Sequence, residues 1–396
     1  MAMNGKRFTY HIVPALTALI CAYIVIYGAA GQGILSHSTY DSYTRQALAW
    51  WSGSTHLPEN VSWLELAFYQ GHYYVSFPPF PSVVMAIFTP FFGLNTPDNL
   101  VNTLFGIGTM LIIYRYLLRR EMGGLYAALI ALLLTLGSNL LYLSATGWVW
   151  FAAQTEGFFF SVLALYLMQS KRKYAWALSF LSMGAAMACR PFQLIYVPLL
   201  IYELYHKFED KGFIRKLLRC APYMLPLFFM GLLMGAFNYA RFGNFFEFGH
   251  NYLPEFASAP QFSLQYLPGN IVEIFKIPGA DIEGFWPQFN GTLFFLVNPA
   301  YILLFVCMVR KMNAKRWIWL ACFVVHLFVT LCHRTMGGWQ FGCRYLVDML
   351  AFSLVLFDDE RVYRTDRITG YTALPAVLLL AGAVINVWGA IWFYTL

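Results

Sequence analysis

Ile12–Ala30, IVPALTALICAYIVIYGAA, closely followed by Ser38–Arg45, STYDSYTR, is the stretch on which the fold turns. Nineteen uncharged residues wound as a helix rise about 1.5 Å each, which matches a hydrocarbon core about 30 Å thick. The small residues Gly28, Ala29 and Ala30 give the run the look of a cleaved leader. Its apolar core is longer than the usual 7–15 residues of a secretory h-region, so it reads as a permanent span. Asp41 then stands just where the chain leaves the lipid.

The rest of the chain repeats this pattern. Of its 396 residues, 59% are hydrophobic and 11% charged, against roughly a quarter charged in a soluble domain. Apolar runs closed by polar or basic breaks recur along nearly the whole length, which predicts an all-α polytopic bundle and excludes a lipid-embedded barrel or a sizeable soluble domain. The net charge of +7 does not indicate a nucleic-acid surface, because the basic residues fall between the apolar runs. Lys6-Arg7, Arg115/Arg119/Arg120, Lys171-Arg172-Lys173, Lys207 to Arg219, Arg310 to Arg316 and Arg361/Arg364/Arg367 hold 20 of the 26 Lys and Arg. Cytoplasmic loops concentrate such residues.

Placing all these clusters on one side gives about eleven spans, near 11–30, 100–118, 124–145, 148–168, 174–189, 192–206, 221–240, 292–310, 317–333, 344–357 and 371–392. The N-terminus is then inside and the C-terminus outside. Pro79–Leu94, short and carrying Pro79, Pro81 and Pro90, reads as a re-entrant or interfacial helix. The single domain, 1–396, carries two long outer loops, 31–99 and 241–291. With the shorter outer segments they hold Asp41, Glu59, Glu65, Asp98, Glu156, Glu247, Glu255, Glu273, Asp281, Glu283 and Asp348, more than half of the acids. Chemistry is therefore expected on the outer face. Between Tyr40 and Trp51, aromatics at helical spacing predict an interfacial helix, with Asp41 and Arg45 four apart on another face.

No Walker A, G-x-G-x-x-G, H-E-x-x-H or G-x-S-x-G motif occurs. There is no D-x-D either, since Ser42 and Tyr43 follow Asp41, so neither a metal nor another cofactor is expected. The candidates are ionisable groups at the edges of spans: Arg190 in ACRP, Arg344 in GGWQFGCRYL, and Glu156 in QTEG. Such groups are costly in the apolar slab unless partnered. They serve a substrate, or they snorkel, or they pair with Asp348 or Glu156. Trp50, Trp51, Trp148, Trp286 and Trp339 are positioned to stack on sugar rings or to anchor the chain at the interface. Cys332 and Cys343 flank the last outer loop, with free thiols the expected state. The sequons at Asn60 and Asn290 fall outside in this topology.

The order of motifs carries a resemblance. An early Asp41, then GHYYVSFPP (71–79), then Glu156, then Arg190-Pro191, then NYARFG (238–243) and finally the Arg344-Tyr345-Leu346 segment resemble the GT-C glycosyltransferases over about 1–357. The branch is that of the protein O-mannosyltransferases and the lipid A aminoarabinose transferase. The resemblance implies a GT-C-like fold and transfer of a sugar from a polyprenyl-phosphate donor, usually with inversion, to an acceptor on the outer face of the cell membrane. By this resemblance the general-base role falls on Asp41. Arg344, Arg190, Arg45 and His72 are expected around the donor phosphate, and Glu156, Tyr74 and Trp339 around the substrate. Relatives often carry Lys or His before the Pro-Pro pair; here Phe77 stands there, leaving His72 or Arg45 to supply a cation. The chemistry is consistent with this set, since a phosphate leaving group needs charge stabilisation and the acceptor hydroxyl needs a base. The competing reading is a transporter or flippase of a lipid-linked saccharide, which predicts internal repeats and midplane polar groups. The acceptor, whether lipid, glycan or protein, is not legible.

Overall fold

The computed structural model describes residues 2–210, 212–256, 258–277, 288–289, 291–310, 312–357 and 370–395. Asp281, Glu283, Trp286, Asn290, Lys311, Arg361, Arg364 and Arg367 lie outside the described residues.

The chain opens with α1 (Ala2–Ala30) and α2 (Ser42–Trp51), then a hairpin of β1 (Leu66–Tyr69) and β2 (His72–Val75), then α3 (Phe80–Phe92). The helices α4 (Asp98–Arg119), α5 (Gly124–Leu134), α6 (Leu140–Leu143), α7 (Val149–Met168), α8 (Lys173–Cys189), α9 (Val197–Tyr205) and α10 (Phe213–Phe242) follow. After α11 (Leu267–Phe275) and β3 (Gln288–Phe289) come α12 (Phe294–Val297), α13 (Ala300–Arg310), α14 (Ala314–Leu331), β4 (Trp339–Gln340), α15 (Arg344–Val347), α16 (Leu354–Phe357) and α17 (Gly370–Thr395). Six of these, α1, α4, α7, α10, α14 and α17, are long and apolar enough to cross a bilayer. The molecule is a multi-pass membrane protein.

Of the other expected spans, 174–189 is the single short helix α8 and the rest are helical but interrupted, for physical reasons. The run 124–145 breaks between α5 and α6, where Thr135 and Ser138 turn their hydroxyls back onto the carbonyls of Ala131 and Leu134 and loosen the ladder. Asn139 there joins a buried amide cluster with Asn298 and Asn386. The run 192–206 begins as a 3₁₀ segment, Pro191–Tyr196, and 344–357 is two short helices joined by a 3₁₀ turn. Pro79–Leu94 yields α3, thirteen residues, too short to cross.

Among the long helices α7 is central. Of its apolar window 72% is buried, against 11% for α10, the least buried of the six. The basic breaks meet at one end of the bundle. Glu203 accepts from both Arg120 (3.0 Å) and Lys315 (2.8 Å), Arg119 donates to the carbonyl of Tyr166, and Lys207 donates to that of Ser170. At the opposite end the start of α4, the start of α7 and the ends of α1, α8, α10 and α14 converge beneath the first loop. There Tyr27 bonds Thr103 (2.9 Å), Ser38 bonds Asp98 (2.7 Å), and the amide of Val149 donates to the carbonyl of Tyr40 (3.1 Å).

Within that loop α2 lies on α3, with the Trp51 indole donating to the carbonyl of Ala86. The hairpin turn puts Gln70 at φ 48° and Gly71 at φ 83°, the left-handed pair that a two-residue turn between twisted strands favours. Its register sets Tyr69 opposite His72 and Ala67 opposite Tyr74. Arg241, near the end of α10, clamps the hairpin by donating to the carbonyl of Val75 at 2.8 Å.

Candidate active site

Arg190 is aimed by the residue that follows it. A residue before proline avoids the helical region, so α8 stops at Cys189 and Arg190 takes φ −140°, ψ 99°. Its guanidinium leaves the helix end and reaches Asp348, with Nε at 2.8 Å and Nη2 at 2.7 Å from Oδ2. Oδ1 of the same carboxylate accepts from the Gln154 amide at 3.1 Å, and Gln154 Oε1 accepts from Arg344 Nη1 at 3.2 Å. Arg344 is further held by the carbonyl of Gly337, at 2.8 Å from Nη2 and 3.2 Å from Nε. Arg190, Asp348, Gln154 and Arg344 thus form one hydrogen-bonded chain, with two cations to one anion. The Tyr345 ring lies 5.1 Å from the Arg190 guanidinium and 4.8 Å from that of Arg344, within range for each cation to act on its π face.

Both arginines line a cavity of about 320 Å³. Phe77, Phe192, Phe246 and Phe262 supply apolar wall; the residue standing where relatives carry a cation is therefore part of that wall. Two imidazoles, with Gln261 and Thr330, add to the polar lining. His250 packs edge-on against Phe77 at 5.5 Å. His333, two residues beyond the end of α14, bonds Thr335 through Nδ1 (2.7 Å) and Gln261 through Nε2 (3.2 Å). Burial, with the Arg190 charge adding to it, pushes each of them down to about 4, so near neutrality both are uncharged.

Trp150 also lines this cavity. Its ring packs on Tyr40 at 4.9 Å and its indole N–H donates to Glu65 Oε2 at 3.1 Å. Burial pushes the Glu65 carboxyl up against that bond and the Arg344 charge. Asp41, adjoining Tyr40, is almost wholly buried at the start of α2 and accepts from Arg45 Nε at 2.7 Å. Burial raises its carboxyl above the ordinary range, and Arg45 opposes the rise.

The residues expected around the donor phosphate are thus divided. Arg190 and Arg344 share one cavity. Arg45 is paired with Asp41 and lines a second cavity, and His72 is exposed on β2, stacked on His56 at 4.0 Å. Of the expected substrate contacts, Tyr74 is buried against Phe242 at 5.2 Å, Trp339 is exposed on β4, and Glu156 is fully buried in α7 with neither oxygen hydrogen-bonded. Gly157, next to Glu156, lets the Arg190 stem pass; a Cβ there would sit 3.0 Å from Arg190 Cγ. Sequence reasoning passed over His250, His333, Trp150 and Gln154, and named Glu65 only as an outer acid. The available signal was a pair of histidines in the expected outer segments. All seven cysteines, including Cys332 and Cys343, are free thiols. No group of three or more metal-ligating side chains occurs among the described residues.

No family model and no curated protein sequence matches this chain. Solved structures do. The apo oligosaccharyltransferase of Archaeoglobus fulgidus superposes with a TM-score of 0.51 at 13% identity, over 96% of this chain and 56% of that one. The same archaeal enzyme, AglB, in complex with an inhibitory peptide and a dolichol-phosphate gives 0.51 at 14% identity, with the same coverage. ArnT from Cupriavidus metallidurans in the apo state gives 0.51 at 13%, over 96% of this chain and 75% of that one. The chain spans little more than half the length of the oligosaccharyltransferase. At such identity the likeness is one of fold, that of a polytopic helical membrane protein.

Proposed function

We propose that this protein is a glycosyltransferase that takes a sugar from a polyprenyl-phosphate donor. The observation that carries the reading is the convergence of Arg190 and Arg344 on one aromatic-walled cavity at the end of the bundle opposite the basic loops. A cavity with two guanidinium groups and apolar walls suits a phosphate carried on an isoprenoid chain. The fold supports this, since one structure that shares it was solved with a dolichol-phosphate.

The donor phosphate lies between Arg190 and Arg344, and its sugar extends past Trp150 and Tyr40 toward Asp41. The acceptor hydroxyl attacks the anomeric carbon and its proton passes to the Asp41 carboxylate. The bond from that carbon to the phosphate oxygen breaks, its electron pair stays on the phosphate, and the configuration inverts. Polyprenyl phosphate is a competent leaving group once its charge is met, so no general acid is required. Basic loops are cytoplasmic by the positive-inside rule, which sets this site, with loops 31–99 and 241–291, on the outer face.

The test is purified protein in lipid vesicles with a panel of radiolabelled polyprenyl-phosphate sugars, followed for release of the free lipid phosphate. Release by wild type that is lost in Asp41→Asn is expected. Undiminished release in that variant removes Asp41 as the base, and no turnover of any donor overturns the reading.

A further inference from the structure

The first turns of α10 lie at the basic end of the bundle. The helix runs 30 residues, a length of about 45 Å. Its uncharged stretch 220–237 alone rises about 27 Å, close to the thickness of a hydrocarbon core. Residues 213–219 therefore fall in the headgroup layer. There Phe213, Ile214, Leu217 and Leu218, at i, i+1, i+4 and i+5, form one apolar stripe, each between 41% and 71% exposed. Arg215, Lys216 and Arg219 occupy the other side of the turn. A third face packs inward: Cys220 is buried, Tyr223 meets Trp176 at 5.3 Å, and Lys216 Nζ lies 4.9 Å from the centre of the Tyr205 ring. Trp176 also takes Lys207 Nζ at 5.4 Å.

The protein does not balance the charge at this point. Between Lys207 and Arg219 the described residues carry four cations, Lys207, Arg215, Lys216 and Arg219, against Glu209 and Asp210. Asp210 is taken by Arg219 at 2.9 Å, and Glu203, at the same end, by Arg120 and Lys315. Arg215 is exposed, and among the described residues no hydrogen bond or ion pair engages its guanidinium. We propose that this end of α10 binds an anionic phospholipid, with the phosphodiester on Arg215, Lys216 and Arg219 and the acyl chains along the apolar stripe. The inference stands apart from the transferase reading and from the leaflet this end faces.

Two requirements select the occupant. Four large apolar side chains as exposed as these are costly in water and are satisfied by acyl chains. The cations beside them, on stems long enough to snorkel, meet phosphate at that depth. A zwitterionic lipid brings its own ammonium, which offsets the phosphate, so the unbalanced positive charge favours a lipid that is anionic overall. Lipid also matters more to α10 than to the other long helices, because its apolar window is the least covered by protein.

The test uses the full-length protein in micelles holding equal amounts of dioleoyl phosphatidylglycerol and dioleoyl phosphatidylcholine, with the retained lipids counted by native mass spectrometry. We expect phosphatidylglycerol to be retained about tenfold over phosphatidylcholine. The triple variant Arg215→Gln, Lys216→Gln, Arg219→Gln should bring that ratio near one. The variant Lys171→Gln, Lys173→Gln, Arg172→Gln removes as many charges from a neighbouring loop and should keep most of the preference. Arg215→Gln alone breaks no side-chain contact within the protein and should lower the ratio about threefold, which keeps the test open if the triple variant does not fold. A wild-type ratio near one overturns the proposal. Equal losses in the two triple variants also overturn it, because the count of charges and not the α10 surface then sets the preference. Displacement of phosphatidylglycerol by millimolar inorganic phosphate does the same, since the site is then one for a free anion.

Discussion

Arg190 and Asp348 meet at 2.7 Å across the gap between α8 and α15, and that contact fixes one of the two guanidinium groups facing the cavity walled by Phe77 and Phe192. The carboxylate is nearly inaccessible while the arginine keeps about a quarter of its side chain exposed. Asp348 thus anchors Arg190 without consuming it. Asp348→Asn keeps one acceptor but loses the charge, and the expected cost is about 1–3 kcal/mol of stability, read as a lower thermal midpoint in detergent. A double-mutant cycle with Arg190→Gln should give a coupling of about 0.5–3 kcal/mol; additive effects would show that the pair is energetically idle.

Removing the cations should affect the donor first. Arg190→Gln and Arg344→Gln each remove a charge-assisted contact of about 1.5–3 kcal/mol, so donor affinity should fall by ten- to a hundredfold in each. Arg45→Gln should leave donor affinity within about twofold, since Arg45 lines the other cavity. Equilibrium binding of a non-hydrolysable polyprenyl phosphonate sugar checks this, and a donor defect in Arg45→Gln as large as that in Arg344→Gln would refute the division of the two sites.

Proton linkage gives a third expectation. His250 and His333 are held down to about 4 by burial and by the neighbouring arginines. A phosphate entering the cavity cancels part of that positive field and raises both, so it binds the protonated form more tightly. Donor affinity should then rise as pH falls from 8 toward 5, with proton uptake measurable by calorimetry in buffers of different ionisation heat. The diester donor carries one charge throughout this range, so the uptake belongs to the protein. His250→Asn with His333→Asn should flatten the dependence. Without ligand the sign for stability is opposite: the unfolded state binds these protons below about pH 6.5 and the folded state does not until about pH 4, so stability falls on acidification.

Asp41 sets the fourth expectation. Burial raises its carboxyl despite Arg45, and a base works only when ionised, so turnover should rise with pH through a midpoint above that of an ordinary aspartate. Arg45→Gln removes the opposing charge and should move that midpoint further up. A pH profile of lipid-phosphate release at saturating donor measures it, and a downward shift in Arg45→Gln would contradict the assigned polarity.

How much of this was legible beforehand depends on the range of the interactions involved. Apolar runs, basic breaks and the carboxylate that follows the first run are local in the chain, and α1, α4, α7, α10 and α17 fall where the runs place them. Arg190 and Arg344 were visible because an ionisable group at the edge of a span is conspicuous wherever it points. The break between α5 and α6 was hidden, because it comes from hydroxyls bonding backwards and from an amide cluster that includes Asn386, far along the chain. His250, Trp150 and Gln154 were hidden for the same reason: each matters only through partners brought close by folding. His72 shows the converse. Its motif suggested a phosphate contact, yet strand register leaves it exposed and stacked on His56.

The last expectation concerns a residue with no side chain. Gly337 sits at φ +115°, and a Cβ there would lie 2.9 Å from Arg344 Nε and 3.0 Å from Gln340 Nε2. Its carbonyl is also the acceptor that holds Arg344 from two sides. Alanine must therefore strain the backbone, at about 1–3 kcal/mol, and push the guanidinium off its acceptor without removing any lining side chain. Gly337→Ala should weaken donor binding by about tenfold with the protein still folded. Gly338→Ala, at φ +71° with open space around its Cβ, carries the milder strain of the left-handed region without the collision and serves as the control. Equal donor binding in the two variants would show that strain in the loop, and not displacement of Arg344, is what the substitution reports.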